Sequence, residues 1–421
     1  MSQKSLPDWL DYVERQHFRT IELGLDRVRA VCSALQVKQL VPVILVAGTN
    51  GKGSTCAMVE AMLRAAGYRV GLYTSPHLVR YTERIRIDGA EVTEAALCEA
   101  FEQVERARGE VPLTYFEFGT LAAWQVFDGA ALDVLILEVG MGGRLDAVNV
   151  FEPDCAIVTG VALDHMDFLG TTREQIGFEK AGIFRAGTPA ICSDPNPPES
   201  LVAHAKAIGA DLRLIGRDFS FAGDRQQWSF KGVQSRRNSL AYPALRGANQ
   251  LLNASAALAA LEALSERLPV SMQAVREGLM HVELTGRFQV LPGRPGVILD
   301  VAHNPQSVGV LAENLASLAY APETYAVLGM LGDKDIRGAI TLIAPRIDHW
   351  LLCTLPGPRG LSADALAAHL RAIGVSGDIE LTDSPSAGLK RAKERATADD
   401  RIVVFGSFLT LADVLPTLDR H

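Results

Sequence analysis

The chain has 421 residues, 48% of them hydrophobic and 21% charged, with a formal net charge of −8. At roughly 100–200 residues per domain this length predicts two or three domains, with a core large enough to need no disulfide or metal staple. The acidic balance excludes a general nucleic-acid binder, which needs a basic face, and leaves room for a local basic pocket.

In chain order, Val41 to Ala47 reads as a buried strand and Ser54 to Ala66 as the helix after it. Apolar runs follow at 69–73, 133–137 and 155–158. Runs apolar on both faces suit parallel strands covered by helices, so the pattern predicts a doubly wound α/β sheet. The stretch Gly216 to Tyr242 is polar and irregular and reads as a β-rich insertion before a helix starting near Asn249. The α/β pattern then restarts, with strands at 296–300, 325–328, 350–352 and 401–405 and a helix at 307–318. Pro and Gly punctuate 291–296, which reads as a linker between a domain of residues 1–290 and one of residues 297–421.

The segment Gly48-Thr49-Asn50-Gly51-Lys52-Gly53-Ser54 joins the first strand to its helix. Its three glycines let backbone N–H groups approach an anion, and the helix N-terminus adds a partial positive charge. Lys52 supplies a full charge for phosphates, and Ser54 a hydroxyl for Mg²⁺. The general phosphate-loop pattern wants Gly where Val46 stands, and Ser or Thr directly after the lysine, where Gly53 intervenes. Strand, loop, lysine, hydroxyl and helix nevertheless occur in order, so the loop reads as an ATP site. Glu138 ends another apolar strand, at the edge where α/β sheets bind ligands. His165 follows a third.

Cys32, Cys56, Cys98, Cys155, Cys192 and Cys353 form no CxxC pair and read as buried free thiols suited to a reducing compartment. Residues 1–9 lack an apolar core of signal-peptide length, and no apolar run reaches the ~18–20 residues of a spanning helix. The expectation is a cytoplasmic protein with no membrane segment.

The Gly48–Ser54 loop resembles the ATP loop of folylpolyglutamate and dihydrofolate synthases, in the Mur ligase superfamily. The resemblance runs on through 74–78, 113–117, 138–147, 163–165, 179–183, 286–288, 300–305 and 405–408. The early stretch 19–27 resembles the bacterial two-activity enzymes. This implies a phosphate-loop N-terminal domain and a Rossmann-like C-terminal α/β domain. It implies that Ser75 and Glu138, with Ser54, serve one Mg²⁺ and His165 a second, and that Lys180 is carbamylated. Carbamylation needs an uncharged amine, so burial should lower the Lys180 pKa. Asn249, Arg287 and Asp300 match ATP-contacting positions, although Asn249 also reads as a helix cap. Asp300 and His303 fall at the end of the second domain's first strand, and Ser407 resembles a glutamate-contacting position. Thr114, Tyr115, Phe116 and Glu117 resemble one side of a pteroate pocket, and Leu145, Asp146 and Ala147 the other. Arg80 and Arg84 could attract anionic substrates or form a solvated basic face.

The function so implied is an ATP-dependent ligase, acting through an acyl phosphate. It would join L-glutamate to dihydropteroate, then further glutamates to reduced folates. A monomer is expected, with neither nucleic acid nor membrane as partner. The rivals are a single-activity synthase, a Mur-type cell-wall ligase, and a non-ligase ATPase.

Overall fold

The computed structural model describes residues 4–17, 21–223, 227–247, 249–375 and 377–418. Arg19 and Thr20 of the early stretch lie outside the described residues, as do residues 1–3. The chain divides into two compact units, one of residues 1–244 with 251–282, the other of residues 245–250 with 283–421.

The first unit is built on eight strands: β1 Val43–Ala47, β2 Val70–Tyr73, β3 Ile85–Ile87, β4 Ala90–Glu91, β5 Val134–Glu138, β6 Cys155–Val158, β7 Pro189–Cys192 and β8 Asp211–Leu214. Their order is β4-β3-β2-β5-β1-β6-β7-β8. All neighbours run parallel except the β2–β3 and β3–β4 pairs. β1, β2, β5 and β6 are buried along their whole length, which is why their sequences alternate so little. β1 lies between β5 and β6, so the carboxyl ends of these strands open together at one sheet edge. On one face Trp9 and Phe101 meet edge to face at 5.9 Å, as do Phe101 and Phe118 at 5.5 Å. The insertion is β-rich: β9 Ser220–Gly223, β10 Gln227–Lys231 and β11 Arg236–Ala241 form a three-stranded sheet.

The second unit carries β12 Gln289–Leu291, β13 Gly296–Leu299, β14 Thr324–Leu328, β15 His349–Cys353, β16 Asp378–Thr382 and β17 Arg401–Phe405. The order is β12-β13-β17-β14-β15-β16, parallel except for β12. The linker expected at 291–296 is corrected here. β12 pairs antiparallel with β13, so the Pro-Gly run is the turn of a hairpin inside the second unit. The division of the chain falls after Val282 instead. Pro and Gly mark a reversal equally well in a hairpin and in a linker.

The six cysteines are free; five are buried and Cys32 is half-buried. Burial pushes the thiols of Cys155, Cys192 and Cys353 up to about 12. Among the described residues, no helix is long and apolar enough to cross a membrane.

Candidate active site

β1 delivers the chain to a loop whose backbone only glycine tolerates at two points. Gly48 has φ +147° and Gly51 φ +91°. Gly51 caps the helix Lys52–Ala65 in the left-handed conformation, and a Cβ there would meet Asn253 Oδ1 at 2.5 Å. Thr49 ties the loop to the segment after β6: its N–H donates to Gly160 O at 2.7 Å, and its hydroxyl bonds both peptide groups of Ala162 at 3.0–3.1 Å. The Asn50 carbonyl accepts from Thr159 Oγ1 at 2.7 Å. Lys52 Nζ curls over the loop toward the Gly48 and Thr49 carbonyls, at 3.2 and 3.4 Å. Gly53 and the buried Ser54 fall in the first turn of the helix. Backbone donors, helix N-terminus and ammonium thus converge where an anion would lie.

Glu138, the last residue of β5, is buried in register with Val46 of β1. Its Oε2 accepts the Ser75 N–H at 3.3 Å, so the segment after β2 meets the end of β5. Oxygen donors of this kind suit Mg²⁺. Among the described residues no group of three or more His, Cys, Asp or Glu could enclose a metal ion. Mg²⁺ commonly uses one or two carboxylates beside water and substrate phosphates, so a sparse protein ligand set fits it.

Lys180 is buried near the end of the helix Arg173–Ala181. Burial and then the Lys52 charge pull its amine down to about 7, against the opposing pull of Asp164 and Asp146. Asp146 is also buried, and that burial pushes its carboxyl up to about 7, although it accepts N–H groups from Met141 at 2.8 Å and Val148 at 3.1 Å. His165 takes the left-handed backbone conformation, φ +51°, and heads the short helix Met166–Leu169. Its N–H bonds the Asp164 carboxylate at 2.9 Å.

The segment 114–117 divides into two roles. Thr114 and Glu117 form a reciprocal capping box at the start of the helix Tyr115–Asp128. Glu117 is buried and paired with Arg27 at 2.9 Å, so both polar residues are occupied in holding the helix. Tyr115 and Phe116 are half-buried. Phe116 lies against Gly140, where a Cβ would stand 2.5 Å from its ring. Tyr115 meets Tyr81 edge to face at 5.8 Å. Arg84 is buried between them, its guanidinium 5.0 Å from the Tyr81 ring and 5.5 Å from Tyr115. Its Nε donates to His77 Nδ1 at 2.8 Å. Burial and this cation lower His77 to about 4, which leaves the ring neutral and able to accept. Arg80, by contrast, is exposed and paired with Glu91 at 2.6 Å. Of the two readings open for these arginines, the exposure and pairing of Arg80 favour the solvated face, because a cation already answered by a carboxylate offers little net charge. Leu145 accepts from Gly24 through its carbonyl at 3.2 Å, and Ala147 is buried.

In the second unit the end of β13 carries Asp300, whose two oxygens accept Ala302 N–H at 2.8 Å and Phe288 N–H at 2.9 Å. Burial pushes this carboxyl up to about 6, opposed first by the Arg287 cation. His303 turns Nδ1 to Val301 O at 2.8 Å. Phe408 gathers the group: the Arg287 guanidinium lies 5.2 Å from its ring and the His303 ring 6.2 Å away. Ser407 is buried and caps the helix Phe408–Val414, accepting Leu409 N–H at 3.2 Å. Asn249 is half-buried in the turn before the helix Gln250–Ala263.

Residues 46–261 match the Mur ligase middle domain, and residues 286–408 the Mur ligase glutamate ligase domain. The dihydrofolate synthase/folylpolyglutamate synthase of Escherichia coli (strain K12) is 45% identical over 417 residues, covering 99% of this chain and 96% of the relative. The chain belongs to the dihydrofolate synthase/folylpolyglutamate synthase family of Mur ligases. Solved members of this family share its fold closely. E. coli FolC in complex with DHPP and ADP has a TM-score of 0.94 at 44% identity, covering 98% of this chain and 97% of that one. A bifunctional folylpolyglutamate synthase/dihydrofolate synthase with Mn, AMPPNP and L-glutamate bound gives 0.91 at 44% identity, with 98% of each chain covered.

Within this family framework the structure adds residues that the sequence reading passed over. Thr159 and Asn253 brace the phosphate loop, Arg27 holds Glu117, and Phe408 joins Arg287 to His303. Phe408 had a signal, since it closes the 405–408 motif. Arg27 had one too, since it closes the 19–27 stretch, whereas Thr159 and Asn253 are polar residues of ordinary type whose meaning comes from a partner remote in sequence.

Proposed function

We propose that the chain joins L-glutamate to dihydropteroate and then adds further glutamates to reduced folates, each step driven by ATP. The γ-phosphoryl group passes to a carboxylate oxygen of the pteroate or folate, giving ADP and an acyl phosphate. The glutamate amine then attacks the acyl carbon, an amide forms, and phosphate leaves. Such transfer is mainly positioning and charge neutralisation. The observation that carries the reading is the meeting of the 48–54 loop, Ser75 and Glu138 at one sheet edge.

Lys52 and the loop N–H groups would hold the ATP phosphates. Ser54, Ser75 and Glu138 would bind one Mg²⁺ and His165 a second; bound there, the ions neutralise phosphate charge. A protonated Lys180 could not join them, but its amine is lowered to about 7 and can take up CO₂ as a carbamate. Tyr115 and Phe116 present aromatic faces for a flat pterin, and Asp146 a carboxyl for its polar edge. Arg84 would draw an anionic acceptor. In the second unit Asp300, Arg287 and Asn249 would contact ATP, His303 would act in catalysis beside Asp300, and Ser407 would contact L-glutamate. Monomeric state, cytoplasmic location and independence of nucleic acid and membrane complete the proposal.

Phosphate release measured with dihydropteroate, dihydrofolate and tetrahydrofolate, each with L-glutamate, tests it. Glutamate-dependent release is expected with dihydropteroate and with a reduced folate. No release with any of the three would defeat the proposal, and release with reduced folate alone would leave a single-activity synthase.

A further inference from the structure

His165 lies on a strap that leaves β6 and is pinned before it reaches the histidine. Thr159 N–H donates to Ala47 O at 2.9 Å, and its carbonyl accepts Ser193 Oγ at 2.9 Å. Gly160 and Ala162 are held by Thr49 of the phosphate loop, at 2.7–3.1 Å. Val161 lies between them, and both its peptide groups go to a single ion pair. Its N–H donates to Asp194 Oδ2 at 2.8 Å, and its carbonyl accepts Arg173 Nε at 2.9 Å. Arg173 Nη2 closes the pair on Asp194 at 3.0 Å and bonds Asn196 O at 2.9 Å, while Asp194 Oδ1 accepts Asn196 N–H at 2.9 Å. A planar guanidinium can serve all these partners in one geometry, which an ammonium cannot. Arg173 is also the first residue of the helix that carries Lys180.

We infer that Arg173 and Asp194 are positioning residues whose ion pair fixes Val161, and through it sets His165 against the phosphate loop and Lys180. This rests on the reading of His165 as a metal ligand. Neither residue need touch substrate. Their effect would be that of an outer layer holding a ligand in place, a role that typically governs 10–100-fold in metal affinity.

The test uses the full chain with Asp194→Ala, Arg173→Ala, Arg173→Lys and, as control, His165→Ala. One readout is hydrogen exchange of the amides of residues 161–168 in the ligand-free protein. The other is Mn²⁺ binding by calorimetry with AMPPNP bound. Asp194→Ala and Arg173→Ala are expected to speed exchange through the strap and to weaken Mn²⁺ binding at least about tenfold. The Arg173 side chain is 43% exposed, so its variants should fold even if Asp194→Ala does not. Arg173→Lys keeps a cation beside Asp194 but is expected to stay defective, since it cannot also hold Val161 and Asn196. Parent-like exchange in the alanine variants overturns the inference, and so does faster exchange with Mn²⁺ binding within about twofold of the parent. Parent-like Mn²⁺ binding by His165→Ala sinks the ligand reading of His165 instead, so the two failures are told apart.

Discussion

Thr159 Oγ1 occupies the place that a Cβ on Gly48 would need; the two would stand 1.9 Å apart. The hydroxyl cannot simply turn away, because it donates to Asn50 O at 2.7 Å and bridges toward Ala47 O at 3.3 Å. Gly48→Ala also forces a side chain onto φ +147°, a strain of about 1–3 kcal/mol. Together with lost hydrogen bonds of about 1 kcal/mol each, the loop should move, and turnover should fall roughly 100-fold or more. The rise in Tm on adding AMPPNP should shrink with it. A Gly48→Ala protein with the parent's Tm rise would show that the loop does not depend on this contact.

The pair explains what was legible in the sequence. β6 and β17 fall at the residues expected for them, because a strand buried on both faces writes an unbroken apolar run. β4 and β16 carry polar residues at sheet edges, and the three-residue β3 beside β4 is interrupted by Arg86, so none of the three writes an apolar run. Gly48 and Lys52 were readable as a loop because their chemistry is local. Thr159, 111 residues along the chain from Gly48, was not, because only the parallel pairing of β1 with β6 brings it there. At Thr114 and Glu117 the structure adds a role to the motif: their three-residue spacing forms a capping box at the start of the helix.

Lys180 should make stability depend on pH. Its amine falls from an ordinary 10.5 to about 7 in the folded chain, chiefly through burial. Between those values the unfolded chain holds a proton that the folded chain has released, so this group makes stability rise with pH from about 7 to 10.5. Below that window both states are protonated and the folded state bears the full penalty. Lys180→Met should flatten the slope of Tm against pH between 7 and 9, on the order of the window that the shift spans. It should also abolish a bicarbonate-dependent mass increase of one CO₂ in mild, non-acidic conditions. If the parent shows no such adduct, the carbamate proposal fails, while the pH slope tests the buried amine separately.

Arg80 and Arg84 should separate cleanly. Arg80 is exposed and answered by Glu91, and such pairs contribute about 0–1 kcal/mol, so Arg80→Ala should change the acceptor KM by less than about fivefold. Arg84 is buried against Tyr81 and Tyr115 and held by His77. Arg84→Ala should raise the KM for dihydropteroate tenfold or more, on the order of a lost charge-assisted contact of about 1.5–3 kcal/mol, with the KM for ATP nearly unchanged. Steady-state kinetics with each substrate varied in turn gives the answer; equal effects of the two variants would contradict the assignment.

Asp300 offers the sharpest test in the second unit. Its carboxyl is raised to about 6 by burial, from an ordinary 3.8. A raised folded pKa means that this group's favourable contribution to stability is complete below 3.8 and is lost as pH rises through about 6. Function should run the opposite way, because the anion is what faces Arg287. Activity in the parent should therefore show an acid limb with an apparent pKa of about 6. Asp300→Asn places an amide where two oxygens each accept a backbone N–H, so one of Phe288 and Ala302 loses its partner, at about 1–3 kcal/mol. The variant should be much less active, and its residual activity should lack the limb. Asp146, pushed up to about 7, titrates in the same range, so Asp146→Asn is the necessary comparison. A limb that survives in Asp300→Asn and disappears in Asp146→Asn would move the titrating group from the second unit to the first.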